Sequence, residues 1–146
     1  MAFDDDVRAV YEYLTTQVLP GASRPTVTYG QIEQDTRVPI GEHGGYIGQV
    51  LGEISRRCSE QGLPPLPSIV INGTDGIPGS GYFVEMAQML RRGNPSGWRI
   101  DPGIERWDKR PAPRGFDKDL DRWNYQPMIA ENQESVWAQP VWPRSL

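Results

Sequence analysis

The stretch from Thr28 to Phe83 constrains the fold of this chain more than any other, because three kinds of element follow one another in it. Thr28 and Gln31 form a Thr-x-x-Gln capping box, which predicts that a short helix begins at Tyr29. A second helix is predicted over the glycine-spaced run that begins at Gly44. A β-branched strand and a run of turn residues follow it, so the order is helix, helix, strand and turn.

The second helix combines an apolar face with an unusual number of glycines. Each glycine inside a helix costs about 1 kcal/mol relative to alanine, so some gain should offset the cost. The usual gain is the close approach of another backbone or of a ligand, and both alternatives stay open at this point. The apolar face consists of Ile47, Val50, Leu51, Ile54 and Cys58, and the glycines are Gly44, Gly45, Gly48 and Gly52.

The remaining elements of the first 92 residues complete a small α+β domain. Apolar residues at helical spacing predict a helix over residues 4–18, and a last helix is expected from Val84 to about Arg92. Residues 69–71 are β-branched throughout and predict a buried strand. The turn residues at 72–76 then predict a hairpin or wing. We therefore expect residues 1–92 to form a winged helix-turn-helix domain.

Residues 93–146 differ in composition from the rest of the chain. They hold all five tryptophans and seven of the 14 prolines, with few aliphatic residues. Such a segment cannot build its own core but is too aromatic for a solvated tail. We expect an irregular Trp/Pro-rich arm, with one short helix within residues 116–124, that packs on its own domain, on a protein partner or on a second copy of this chain in a homodimer. The anchors expected to contact a partner are Trp98, Trp107 and Trp123.

Composition limits the function classes. The chain of 146 residues fits one domain and has no apolar run of the roughly 20 residues that cross a bilayer. The N-terminus is acidic where a secretory signal is basic, so we expect a cytoplasmic protein. The formal net charge is −4, and residues 1–92 hold seven basic and eleven acidic side chains. That balance opposes simple electrostatic binding of DNA, which depends on lysine and arginine.

The residues predict no enzyme, no cofactor and no metal site. The only histidine, His43, follows Glu42, and a lone loop histidine is more often a surface group than a catalytic one. Cys58 falls on the apolar face of the second helix, which favours a buried structural thiol over a nucleophile. Ser68 lacks the glycine-flanked turn of a nucleophilic serine, and the glycine-rich run at 76–81 lacks the lysine of a phosphate-binding loop.

The run from Val27 to Phe83 resembles the C-terminal DNA-binding domain of alkylguanine-DNA alkyltransferases and the alkyltransferase-like proteins. Three pieces carry the resemblance, in the family's order: Thr-Tyr-Gly-Gln-Ile at 28–32, Ile-Gly-Gln-Val-Leu at 47–51 and Val-Ile-Asn at 70–72. The resemblance implies a winged helix that binds DNA and a tyrosine, Tyr29, that orders the DNA backbone. The same run also looks like a module of uncharacterised proteins from bacteria and their phages.

Three departures from the family pattern alter what the resemblance implies. The family's nucleophilic cysteine falls near Pro67 and its activating histidine near Ser68, so alkyl transfer is excluded. The arginine that replaces an extruded base falls near Gly45, so base flipping is not expected either. The resemblance therefore implies the shape of the domain without its reaction.

Two functions follow as hypotheses. The first is a non-catalytic winged-helix protein that binds DNA or RNA, with arginines on phosphates and Tyr46 and Gln49 at base edges. The second is a protein-binding regulator or inhibitor, of the kind that phages carry, which uses the winged helix as a scaffold and tryptophans as anchors. The residues expected to contact nucleic acid are Tyr29, Tyr46, Gln49, Arg56, Arg57, Arg91, Arg92 and Arg110.

Overall fold

The computed structural model describes residues 2–146, which form a mostly helical α+β structure with one small sheet. None of the helices within residues 2–146 is long and apolar enough to span a bilayer. The helices are α1 (Ala2–Tyr13), α2 (Tyr29–Thr36), α3 (Gly45–Glu60), α4 (Ser80–Arg91), α5 (Lys118–Asp121) and α6 (Gln126–Ala138), and the strands are β1 (Val27–Thr28) and β2 (Val70–Ile71). Shorter helical turns cover Leu14–Val18, Leu19–Gly21, Glu42–Gly44, Leu66–Ile69, Pro102–Asp108 and Arg122–Tyr125.

The predicted start of α2 is confirmed in atomic detail. The Gln31 backbone N–H donates to the Thr28 hydroxyl at 3.1 Å. The Thr28 N–H donates back to the Gln31 side chain, also at 3.1 Å, which completes the capping box. The helix ends at Thr36. The next residue, Arg37, has a left-handed backbone (φ 66°), and its N–H donates to the carbonyl of Glu33.

The expected hairpin is wrong, because β2 pairs in parallel with β1 and not with a strand that follows it. Val27 lies opposite Val70 and Thr28 opposite Ile71. The turn residues after β2 close a short loop in which the Asn72 N–H donates to the Ile77 carbonyl at 2.8 Å. Pro78 then follows, and α4 begins at Ser80, so the chain has no room for a returning strand. The sheet ties the entrance of α2 to the segment that follows α3.

The C-terminal segment is more regular than its prolines suggest. The short helix expected within residues 116–124 is present as α5 and the turn Arg122–Tyr125. The irregular arm expected after it is wrong, since α6 spans 13 residues. Pro127 sits in the first turn of α6, where a missing N–H does no harm. The buried face of α6 includes Asn132, and this polar residue interrupts the apolar pattern by which a helix is detected.

Residues 93–146 pack on the rest of this chain and share its core. Trp98, Ile104, Trp107, Met128 and Val136 belong to the same buried cluster as the residues of α1, α3 and α4. The apolar cluster is therefore continuous, and the C-terminal segment covers α4 and the loop that precedes it.

A buried arginine anchors the C-terminal segment to that loop. The Arg122 guanidinium, with its side chain 9% exposed, pairs with Asp75 at 2.8 Å. The guanidinium also donates to the Pro78 carbonyl at 2.7 Å and lies 6.0 Å from the centre of the Phe83 ring. Burial, the largest single influence, would raise the pKa of Asp75, but the hydrogen bonds and charge of Arg122 together with the backbone N–H of Ile77 outweigh it and hold that pKa below its ordinary value.

Replacing Arg122 by leucine should lower the free energy of unfolding by about 2 to 4 kcal/mol, because two carbonyls and a carboxylate lose their donor. The matched control is Arg110→Leu at an exposed position. Because the paired Asp75 has a lowered pKa, the deficit should be complete at neutral pH and narrow as pH falls below about 4. Urea unfolding followed by circular dichroism measures both effects. Equal losses in the two variants would contradict the anchoring role.

Candidate ligand groove between α3 and α4

The first half of α3 exposes the flank that carries its glycines. A methyl group added at Gly44, Gly45 or Gly48 would meet no atom within 4 Å. Gly44 precedes α3 and has a left-handed backbone (φ 74°), which by itself favours glycine there. Gly45 and Gly48 lie within α3 and are not required by packing inside the molecule, so their cost to the helix needs another explanation. Gly52, one turn further on, faces α4 instead, since a methyl group there would lie 3.2 Å from the carboxylate of Glu85.

Helices α3 and α4 come close at one crossing point and leave a groove beside it. A methyl group on Gly81 would lie 3.7 Å from the Cα of Gly48, in ordinary van der Waals contact, so the two backbones are separated there by the width of about one methyl group. The groove has a volume of about 820 Å³. Its apolar lining includes Ile40, Ile47, Leu51, Pro67 and Val84, and its polar lining includes His43, Gln49, Ser55, Glu85, Gln88 and Lys118.

Tyr29 holds one end of this groove in place. Its hydroxyl accepts a hydrogen bond of 2.7 Å from the backbone N–H of Gly79, immediately before α4. Position 79 must be glycine because a methyl group there would lie 2.9 Å from that hydroxyl oxygen. Burial raises the pKa of Tyr29, so the phenol stays neutral. Tyr29 thus lines the groove, and its hydroxyl positions the start of α4.

Among residues 2–146, Glu85 is the one acidic side chain that lines the groove, and the sequence analysis did not single it out. It lies on α4 between the buried residues Tyr82 and Met86, a position where a carboxylate is unexpected. Its pKa is raised, and burial is the largest cause. No ion pair within 4 Å involves Glu85 among residues 2–146. The sequence does contain a signal for Glu85. A glutamate one helical turn from two core residues must either bond to a partner or remain partly desolvated.

The arginines of α3 do not present free charges. Arg56 donates to Glu53 at 2.9 Å and to Glu60 at 2.6 Å. Arg57 donates to Glu53 at 2.7 Å and lies 3.4 Å from Asp4. Hydrogen bonds from Arg56 lower the pKa of Glu53 and keep it ionised. Arginines neutralised in this way release few counterions from a polyanion, so the phosphate contacts expected of this pair lose their support.

The other predicted cationic residues lie away from the groove lining. Arg91 pairs with Asp108 at 2.7 Å. Arg92, at the end of α4, and Arg110, in the loop after Pro102–Asp108, are exposed. Of the eight residues expected to contact nucleic acid, only Tyr29 and Gln49 line the groove.

Tyr46 and Gln49 lie on α3 with different surroundings. The Tyr46 hydroxyl donates to the Asp6 carboxylate, and its ring packs edge-on against Phe3 at 6.2 Å between centres. These contacts fix the start of α3 against α1 and leave the Tyr46 hydroxyl occupied. Gln49 is exposed at the edge of the groove. It is the predicted residue best placed to touch a ligand.

Two of the three tryptophans expected to contact a partner are buried in this chain. Trp98 donates its indole N–H to the Leu63 carbonyl at 2.9 Å, and Trp107 donates to Asp121 at 2.6 Å. Each is less than 10% exposed, so neither offers a surface to another molecule. The expectation is wrong for both because the C-terminal segment folds onto its own core. Trp123 is 48% exposed and remains available.

The candidate catalytic groups are not gathered into a site. His43 and Glu42 form a pair at 3.8 Å in which both side chains are more than 90% exposed, with nothing to exclude water. Ser68 is buried, and its hydroxyl donates to that of Tyr82 at 3.4 Å. Cys58 is fully buried, and burial raises the pKa of its thiol to about 12.

Comparison of the chain with protein-family models, with curated proteins and with solved structures gave no match. The resemblance to alkyltransferase-like proteins therefore stays a prediction from the residues. Pro67 lines the groove together with Tyr29.

The Cys58 thiol should resist modification in the folded protein. A thiol with a pKa of about 12 is almost fully protonated at pH 8, and the thiolate is the reactive form. Titration with a colorimetric disulfide reagent should give no fast reaction in buffer and one equivalent in 6 M guanidinium chloride. Fast reaction of the native protein would contradict the buried position.

Replacing Gly48 by alanine should stabilise the protein, because the added methyl group meets no atom and the unfolded chain loses freedom. The expected gain in the free energy of unfolding is about 0.5 to 1 kcal/mol. Gly41→Ala should have the opposite sign, since Gly41 has φ 81° and its added methyl group would lie 2.7 Å from the Cβ of Tyr46. Thermal unfolding measures both, and a loss of stability in Gly48→Ala would refute an open flank.

Proposed function

We propose that this chain is a non-catalytic binding protein that takes up a segment of a protein partner in the groove between α3 and α4. The observation that carries the proposal is the open glycine flank, where Gly45 and Gly48 bring α3 backbone to the surface of an apolar groove. Glycines retained against their helix cost, where no packing demands them, are best explained by a ligand that comes close to the backbone.

A protein ligand fits the charge distribution better than a nucleic acid does. The chain carries a net charge of −4, and Arg56, Arg57 and Arg91 are engaged by carboxylates. Glu85 places a further carboxylate inside the groove. Phosphates would be repelled by that carboxylate, whereas a neutral or basic peptide would not.

Nucleic acid is the second candidate, and the position of Gln49 favours it. An exposed glutamine beside a glycine-rich helix flank can reach base edges, and Lys118 and His43 line the same groove. In that case α2 and α3 would act as the helix-turn-helix, and the loop after β2 would act as the wing. The exposed Arg92 and Arg110 would add phosphate contacts.

Peptide selection from a display library tests the first proposal. The wild-type protein should enrich a set of related peptides, and Gly48→Leu should lose their binding at least tenfold because its side chain fills the groove. Gly30→Leu is the matched control, since Gly30 is a helical glycine outside the groove whose added methyl group meets nothing closer than 4.0 Å. Peptides that bind Gly48→Leu as well as wild type would refute the groove as the binding site.

Titration with duplex DNA, single-stranded DNA and RNA across a range of salt concentrations separates the two candidates. The protein-binding proposal predicts no measurable affinity at 150 mM salt and no retention on heparin. Binding that falls steeply with salt and that Gln49→Ala and Lys118→Ala weaken would establish the nucleic-acid candidate instead.

A further inference from the structure

The unpaired carboxylate of Glu85 indicates which chemical group the groove receives. Glu85 is half-buried, and a partly desolvated carboxylate is costly unless it has a partner. No ion pair involves Glu85 within residues 2–146. Burial raises the pKa of this carboxyl and outweighs the neighbouring charges, of which those of Arg92 and Arg56 lower the pKa and that of Glu53 raises it. Arg56 is already bonded to Glu53 and Glu60, and Arg92 at the end of α4 is exposed to solvent.

Two further polar side chains lie beside Glu85 in the groove lining. Gln88 is one turn along α4 from Glu85, and Ser55 is one turn along α3 from Gly52, the residue over which the Glu85 carboxylate sits. The carboxylate, an amide oxygen and a hydroxyl oxygen are all acceptors. Such a set matches a group that carries several N–H donors and a positive charge.

Apolar residues in the same groove match the stem of a long basic side chain. Leu51 precedes Gly52 on α3, and Val84 precedes Glu85 on α4, and both line the groove. The methylenes of arginine pack well on such surfaces while the guanidinium reaches a carboxylate. The guanidinium presents five N–H donors in a fixed plane, whereas an ammonium group presents three.

We propose that the groove receives an arginine side chain of a protein partner, with its guanidinium bonded to the Glu85 carboxylate and to Gln88 and Ser55. This inference rests on the proposed function, because it names the side chain that the protein partner inserts. The chain's own acidity supports it, since a net charge of −4 attracts a basic segment. Lys118 and His43 also line the groove, so the expected selectivity for arginine depends on the position of Glu85 and not on the total charge of the lining.

The test uses the tripeptide Ac-Gly-Arg-Gly-NH₂ as a probe and amide chemical shifts of the labelled protein as the readout. The peptide should shift the amides of Gly48, Gly52 and Gly81 in a saturable way. Its citrulline counterpart, which has the same shape without charge, should bind at least tenfold more weakly. No shift at these amides with up to 20 mM arginine peptide would overturn the inference.

Glu85→Gln should weaken binding of the arginine peptide at least fivefold. It should also raise the stability of the free protein at pH 7, because a raised pKa means that the folded state binds protons more tightly than the unfolded state. That gain should vanish as pH falls below about 4. Glu105→Gln is the control, since it removes the same charge from an exposed site paired with Lys109.

The variants also separate this inference from the proposed function. Arginine peptide that binds Glu85→Gln as well as wild type, but not Gly48→Leu, would overturn the role of Glu85 and leave the groove as the binding site. Peptide that binds both variants unchanged would overturn both proposals. Equal loss in Glu85→Gln and Glu105→Gln would show attraction to net charge only and would also overturn the inference.

Discussion

The interaction on which the rest of the structure depends is the buried bond network between Arg122 and the loop that joins β2 to α4. That loop holds Asp75 and Pro78, and both accept hydrogen bonds from the guanidinium. One residue beyond Pro78, the N–H of Gly79 bonds to Tyr29 at the start of α2. Hydrogen bonds therefore join the C-terminal segment to the loop and the loop to the start of α2. Together these bonds hold the residues at which α4 begins. The groove exists because α4 begins there.

Glycines at the crossing point, Gly48 and Gly81, allow α3 and α4 to approach each other closely. At the crossing point a methyl group on Gly81 would make ordinary van der Waals contact with the Cα of Gly48, at 3.7 Å, so the two helices approach closely there. Away from the crossing, the same flank of α3 opens to solvent at Gly45 and lines the groove. Close packing and an open flank, which the sequence left as alternatives, both occur along one helix. The carboxylate of Glu85 lies over Gly52, one helical turn beyond the crossing point at Gly48.

Local signals in the sequence predicted the elements that depend on neighbouring residues only. The capping box set the start of α2, and the apolar face of α3 set its buried residues. Long-range pairing was not predictable in this way: nothing near Val70 shows that its strand partner lies 43 positions earlier, at Val27. Helix α6 was missed because Asn132, a core residue, bonds to the Arg99 backbone and to Tyr82, which no periodicity reveals. The ion pairs that neutralise the arginines of α3 can be read from the sequence, because Arg56 and Arg57 follow Glu53 at spacings of three and four residues. A count of charges over the whole domain does not reveal such pairs.

The groove between α3 and α4 is open and is lined by the Glu85 carboxylate, which we propose receives a cationic donor. The measurement that tests it most directly is a crystal structure of the protein with Ac-Gly-Arg-Gly-NH₂ bound. The account predicts guanidinium nitrogens about 2.7 to 2.9 Å from the Glu85 carboxylate oxygens, with the arginine stem between α3 and α4. An arginine bound on another face, or a groove closed by movement of α4 onto the α3 glycines, would contradict it.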